Sequence, residues 1–346
     1  MLKDVRKLYI VGVGASILVG LLAGCVSAPA TGGSSLGPPS SDGSSAVIKV
    51  AMVPKLVGLA VFKANETGAE KVAKSLNIDF NYTGPVEASA QGQVETFNSL
   101  INQKYDVITT SANNETVLAP ALMKAMAEGI KVVTYDSDVL PEARDVFIQN
   151  TPYPAMGKAL VDAIVPITGP NADIAILSSF PDGTIQIALL EAVDEYLKAS
   201  YPGLKIVTTQ YGNSDPAKSL TAGLNILRAF PSVKGIIAPD GAAIVGAGNA
   251  IKQLGLTGKV GASGLGTPND TRALIKSDDI SASVLWDEVE EGEFIMHIAR
   301  MVHNGEVPEN GTITVGPFGE REVKNKVVVF GDPVVFNKAN VDQYDF

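Results

Sequence analysis

The sequence predicts an α/β fold: two Rossmann-like lobes with parallel sheets, joined by three hinge crossovers. From residue 47, short β-branched runs alternate with amphipathic stretches of about ten or more residues, the pattern of βαβ units whose sheets are covered on both faces. The alternation restarts near residues 148–152, which gives two runs of similar design. The chain also has 346 residues, more than one compact core usually fills.

The first run opens with the strand "VIKVAMV" (47–53), closed by Pro54-Lys55, and a helical stretch over 57–76. "IDFNYTG" (78–84) is a strand, and "SAQGQVETFNSLINQ" (89–103) a helix with Ser89 as its N-cap. "YDVITTS" (105–111) is a strand, and "ETVLAPALMKAMAEG" (115–129) a helix that stops at Gly129. "KVVTYDSD" (131–138) and "VFIQN" (146–150) are strands. The second run has helices over 156–167, 186–201, 216–230, 242–255 and 270–277, and strands over 172–179, 205–212, 233–240 and 260–266. After it the alternation breaks. "ISASVLW" (280–286) is a strand leading back to lobe one, "EEGEFIMHIARMVHNG" (290–305) a helix, and "TITVG", "KVVVF" and "PVVFN" short strands placed with lobe two. The predicted lobes are therefore 46–149 plus 284–308, and 150–283 plus 309–346.

Residues 1–25 do not belong to either lobe. Lys3, Arg6 and Lys7 precede an apolar run that ends in "LLAGC" (21–25), a secretory signal with a lipobox in which Cys25 becomes the lipid attachment point. The competing reading is an uncleaved membrane helix, for which the run is at the low end of spanning length. "VSAPATGGSSLGPPSSDGSS" (26–45) is Gly, Ser and Pro with almost no bulk, a flexible tether. The expected location is extracytoplasmic, anchored to the membrane by the lipid on Cys25.

Composition excludes several classes of function. A net charge of −10 argues against nucleic acid, whose phosphates call for Lys and Arg. Cys25 is the only cysteine, so neither an intramolecular disulfide nor a cysteine metal site can form. His297 and His303 read as helix-surface histidines rather than ligands; no metal and no cofactor is expected. The sequons at Asn65, Asn81, Asn114, Asn269 and Asn310 read as chance occurrences, with glycosylation the alternative.

In open parallel sheets, ligands bind beyond the carboxyl ends of the strands. Those ends carry short polar groups here: Lys55, Ser111, Asn113, Asn114, Asp136, Ser137 and Asp138 in the first run. The second run gives Ser178, Ser179, Asp182, Gln186, Gln210, Asn213, Pro239-Asp240, Thr267 and Asn269. Facing each other across a cleft, they suit a small polyhydroxylated ligand, because carboxylates accept hydroxyl hydrogens and Lys and amides donate. Any one of them can equally cap a helix or make a turn. Trp286, the only tryptophan, either stacks on the apolar face of a sugar or packs in the core. An extracellular hydrolase is the competing class. It needs a carboxylate pair, and Asp136 and Asp138 at one strand end do not form one; nucleophile-elbow and zinc-protease motifs are also missing from residues 46–346. The chain reads as a non-enzyme.

Several segments resemble one family: "VPKLVG" (53–58), "GQVETFNSLINQKYDVI" (92–108), "VVTYDSD" (132–138), "IVTTQYGNSDPAKSL" (206–220), "GIIAPD" (235–240), "GTPN" (266–269), "LWD" (285–287) and "VVFNKANVDQYDF" (334–346). They resemble type I periplasmic substrate-binding proteins of ABC importers, most closely the autoinducer-2-binding and rhamnose-binding proteins, over nearly all of 47–346. The resemblance implies two α/β lobes on three hinge strands, a sugar or polyol sealed between them, delivery to an ABC permease, a monomer, and no catalysis. It implies that Lys55, Asp136, Gln186 and Pro239 bind ligand. The carboxylate that partners Gln186 in that family is Ile185 here, an alanine is Gly241, and an aromatic at the cleft mouth falls at Val61 beside Phe62. Each lost hydroxyl acceptor is worth about 1–3 kcal/mol, so a related sugar or polyol is expected to suit the pocket better than autoinducer-2. The candidate ligand-binding residues are Lys55, Phe62, Asn113, Asp136, Gln186, Pro239, Asp240, Gly241, Thr267 and Trp286. The alternative function is a tethered sugar sensor that feeds a signalling receptor rather than a permease.

Overall fold

The computed structural model describes residues 46–87, 89–181 and 184–346, apart from the Thr184 side chain. The expected signal with Cys25, the tether at 26–45 and Asp182 lie outside the described residues.

The first half builds β1 (Ile48–Val53), α1 (Ala60–Ala73), β2 (Ile78–Tyr82), α2 (Ala90–Asn102), β3 (Val107–Thr110), α3 (Glu115–Ala127), β4 (Lys131–Tyr135) and β5 (Val146–Gln149). All five strands are parallel, in the spatial order β5-β4-β3-β1-β2. Successive side chains of a strand point to opposite faces. Ile48, Val50 and Met52 accordingly enter one core with Val133 and Tyr135, while Ala51 and Val53 enter another with Phe97, Ile108, Leu118 and Val132. Ser89 does cap α2, its hydroxyl accepting from Gly92 N at 3.1 Å.

The second half builds α4 (Tyr153–Thr168), β6 (Asn171–Ser178), α5 (Thr184–Ser200), β7 (Gly203–Tyr211), α6 (Pro216–Ala229), β8 (Val233–Ala238), α7 (Gly241–Gln253), β9 (Gly261–Leu265), α8 (Pro268–Lys276) and β10 (Ala282–Leu285). Here too the sheet is parallel and covered on both faces. Ile174, Ile176, Ile237 and Val284 meet α4 and α5, while Ala175, Leu177, Ile236 and Ala262 meet α6 and α7.

The last stretch builds α9 (Glu288–His303), β11 (Gly311–Thr314), β12 (Glu320–Lys324), β13 (Val327–Val329) and β14 (Val334–Phe336). The full sheets are β11-β12-β13-β5-β4-β3-β1-β2 and β14-β10-β9-β8-β6-β7. The structure corrects the expected lobe boundaries at two places. β10 lies wholly in the second sheet, so residues 284 and 285 do not belong with lobe one. β11, β12 and β13 extend the first sheet, so of 309–346 only the part from β14 onward joins the second. The reason is burial: Ile313, Val315, Val323, Val328 and Phe330 are all buried in the core that holds Phe294. The chain crosses between sheets after β5, after β10 and after β13, the three crossovers expected.

α9 returns to the first lobe by packing along α1, and two glycines allow the approach. A Cβ on Gly68 would lie 1.8 Å from Val289 O, and one on Gly292 would lie 2.0 Å from Asn65 O. Asn65 is itself fully buried in this contact, so its sequon is closed to modification in the folded protein.

Candidate ligand cleft

β1, β3 and β4 are adjacent and parallel, so the residues that follow them emerge side by side. Asp136 leaves β4 with φ of 55°, a left-handed conformation that aspartate enters more readily than most residues. Lys55 Nζ donates to Asp136 Oδ2 at 2.8 Å, Ser111 Oγ to the same oxygen at 2.7 Å, and Ser137 Oγ at 3.3 Å. All three donors converge on Oδ2, and Oδ1 has no protein donor among the described residues. Burial by itself would raise the Asp136 pKa. The Lys55 charge and the three hydrogen bonds outweigh burial and hold the carboxyl below its usual value, so it is an ionised acceptor.

A buried glutamine ties these loops together. Gln93 Nε2 donates to Pro54 O at 3.1 Å and Ser111 O at 2.7 Å, and Gln93 Oε1 accepts from Asn113 N at 2.9 Å. Asn113 Nδ2 donates to Lys55 O at 2.7 Å. Asn113 thus braces the backbone of Lys55. Asp138 takes no part in this cluster. It accepts from Thr134 Oγ1 at 2.6 Å and Arg144 Nε at 3.0 Å, which answers its residue type with a turn role.

Asp136 lines a cavity of about 200 Å³ between the two sheets. Phe147 and Gln149 line it from β5, Tyr153 and Met156 from α4, Ile185 and Leu189 from α5, Leu265 from β9, and Trp286 from the second crossover. Asn150 and Thr151, on the first crossover, complete the wall. They are 6% and 5% exposed, yet Asn150 Nδ2 and Thr151 Oγ1 have no protein partner. A buried donor without a partner costs free energy until something accepts from it. Burial, then the Asp136 charge, raises the Tyr153 pKa, so its hydroxyl stays protonated and able to donate.

The remaining candidates are placed elsewhere. Phe62 is 4% exposed in the core, edge-on to Tyr135 at 6.3 Å. Gln186 Nε2 donates to Pro239 O at 3.3 Å. Asp240 caps α7, accepting from Ala243 N at 3.0 Å and Ser214 Oγ at 2.8 Å. Gly241 is the first residue of α7, with open space where a Cβ would stand. Thr267 caps α8, accepting from Asp270 N at 3.2 Å. Sequence reasoning missed Gln93, Gln149, Asn150, Thr151 and Tyr153. The polar run "QNT" (149–151), which ends β5 and opens the first crossover, was the available signal for three of them.

Two doubly covered, mostly parallel sheets, three crossovers and a polar-floored cavity between them restrict the fold sharply, and residues 50–306 match the family described as periplasmic binding protein domain. The chain belongs to that family. The binding protein is 29% identical over 277 residues to the fructose import binding protein FruE of Bifidobacterium longum (strain NCC 2705), covering 75% of this chain and 80% of that one. It is similar to the structure of a sugar ABC transporter from Actinomyces odontolyticus ATCC 17982, with a TM-score of 0.81 and 30% identity over 86% of this chain and 98% of that one. It is also similar to LsrB from Clostridium saccharobutylicum in complex with AI-2, with a TM-score of 0.72 and 26% identity over 86% of this chain and 100% of that one. The binding protein is a transport component of the extracytoplasmic class, not an enzyme.

Proposed function

We propose that this binding protein captures one small sugar or polyol, of the autoinducer-2-like or rhamnose and pentose class, and presents it to an ABC permease. Lipid on Cys25 and the tether at 26–45 hold it at the outer face of the membrane. The lobes that close on the ligand are the two sheets with their covering helices.

One observation carries the reading. Ionised Asp136 with an unpaired Oδ1 shares a cavity with the unpaired donors of Asn150 and Thr151 and with the indole of Trp286. A polyol supplies what each of these lacks: hydroxyl hydrogens for the carboxylate, lone pairs for the two donors, and a C–H face for the indole. A cavity of about 200 Å³ has the volume of six or seven bulk waters, room for a single monosaccharide. FruE is named for fructose import and LsrB was solved with AI-2, which supports the ligand class. Ile185 supplies an apolar wall where an autoinducer-2 site would offer a carboxylate, so a less hydroxylated ligand edge fits that side.

A thermal-shift screen against autoinducer-2, L-rhamnose, D-fructose, D-ribose, D-xylose and small sugar alcohols, followed by calorimetry, tests the proposal. A one-to-one hit that Asp136→Ala abolishes supports it. A panel that leaves the melting temperature unmoved overturns it.

A further inference from the structure

The second crossover carries two buried carboxyls for which ligand capture gives no account. Trp286 and Asp287 leave β10, Asp287 caps α9, and Glu288 and Glu291 fall one turn apart on the inner side of that helix. Glu288 is 3% exposed and Glu291 is fully buried. Trp286 Nε1 donates to Glu291 Oε2 at 3.0 Å. From α1, the fully buried Asn65 places Nδ2 3.0 Å from Glu288 Oε2 and 3.2 Å from Glu291 Oε2. Two carboxyl oxygens on one donor hydrogen-bond group are neighbours, and neither Glu makes an ion pair among the described residues.

The other groups facing the pair add no positive charge. Asp136 approaches from the end of β4, already bound to Lys55, and Tyr135 from β4 presents a buried hydroxyl without a partner. On α1, Lys63 is engaged with Glu66 and Lys71 with Glu293. Two buried carboxyls in contact, with no cation beside them, cannot both ionise at modest cost. A shared proton satisfies them and leaves Glu291 Oε2 free to accept from the indole.

We propose that Glu291 is the positioning residue of the cavity's aromatic wall: it holds Trp286 through the indole N–H, loosely while the Glu288–Glu291 pair keeps its proton and tightly once that proton is lost and the indole donates to a carboxylate. The wall is then set by pH, with the ordered form on the alkaline side. The inference rests on the cavity being the ligand site, but its test needs no ligand.

Trp286 is the only tryptophan in the chain, so intrinsic fluorescence reads this one indole. Emission wavelength and iodide quenching are followed in the full protein, without sugar, from acidic to mildly alkaline pH. Wild type should show a transition above the ordinary glutamic acid range, to a less mobile and less quenchable indole. Glu291→Gln, neutral at every pH, should abolish it, and Glu288→Gln should move its midpoint down by removing the like charge. A role limited to packing would lower stability in both variants without shifting any midpoint. Emission that is flat with pH in wild type, or a midpoint unchanged in Glu288→Gln, overturns the proposal even if Glu291→Gln does not fold. Failure of the sugar screen would remove the ligand site and leave this titration standing, so the two readings fail separately.

Discussion

Lys55 Nζ lies 2.8 Å from Asp136 Oδ2, a contact that joins the ends of β1 and β4 across β3. The two residues are 81 positions apart in sequence, and they meet where Asp136 enters the cavity wall only because parallel strands all finish on the same edge. Its chemistry makes the first prediction specific. Asp136→Asn keeps the shape, removes the charge and leaves Lys55 unpaired. Charged hydrogen bonds are worth about 1.5–3 kcal/mol, so ligand affinity should fall by about 10- to 100-fold. Calorimetry with the best sugar from the screen measures it, and an unchanged Kd would remove Asp136 from the site.

Ile185 offers a change of selectivity. It lines the cavity and is partly exposed, so a carboxylate there can stay hydrated. Ile185→Asp should raise affinity for autoinducer-2 relative to the wild-type protein's preferred sugar by about tenfold, the worth of one added hydroxyl acceptor. Competition between the two ligands in wild type and variant reads the ratio; a ratio that does not move would mean that this wall does not touch ligand.

The α1–α9 contact should tolerate no added methyl. In Gly292→Ala the new Cβ would fall 2.0 Å from Asn65 O, and the obstacle is backbone rather than a flexible side chain. Overpacking of this kind costs about 1–3 kcal/mol. Urea unfolding should show a lower midpoint, and a midpoint equal to wild type would contradict the close approach.

Stability should depend on pH through Glu288 and Glu291. Burial, then the Asp136 charge, pushes Glu291 from 4.5 up to about 8, and burial with the Glu291 charge pushes Glu288 well above its usual value. The folded protein therefore keeps a proton that the unfolded chain has released. That contribution is complete below the ordinary glutamic acid value and is lost as pH rises through about 8. Asp136 acts in the opposite sense: its lowered value adds stability above 3.8 that is lost as pH falls. Denaturation at mildly acidic and mildly alkaline pH should show wild type losing more stability on the alkaline side than Glu291→Gln. Parallel pH profiles would rule the pair out as the source.

Much of the fold was legible because a covered parallel sheet writes itself as apolar runs between amphipathic helices. The tail was not. "KVVVF" reads as a strand, but nothing in a three-residue ladder says which sheet it joins, and Val328 is buried beside Ile148 rather than in lobe two. The strand-end rule brought Lys55, Ser111 and Asp136 together. The same rule pointed to Asp240 and Thr267, which cap α7 and α8, because one residue type serves both purposes. Asn150 and Thr151 escaped it because they stand on a crossover, and Gln93 because it sits on a helix.

The way the first sheet is finished also governs when the protein can fold. Arg144, beside β5, is bonded to Lys326 O, 182 residues further along the chain, and β13 seals the sheet only there. During synthesis or passage through a membrane pore from the N-terminus, neither lobe is complete until almost the whole polypeptide has emerged. Contacts of such long span form late and slowly. An exported chain with this topology stays threadable for as long as its last strands are held back, and locks only once they are delivered.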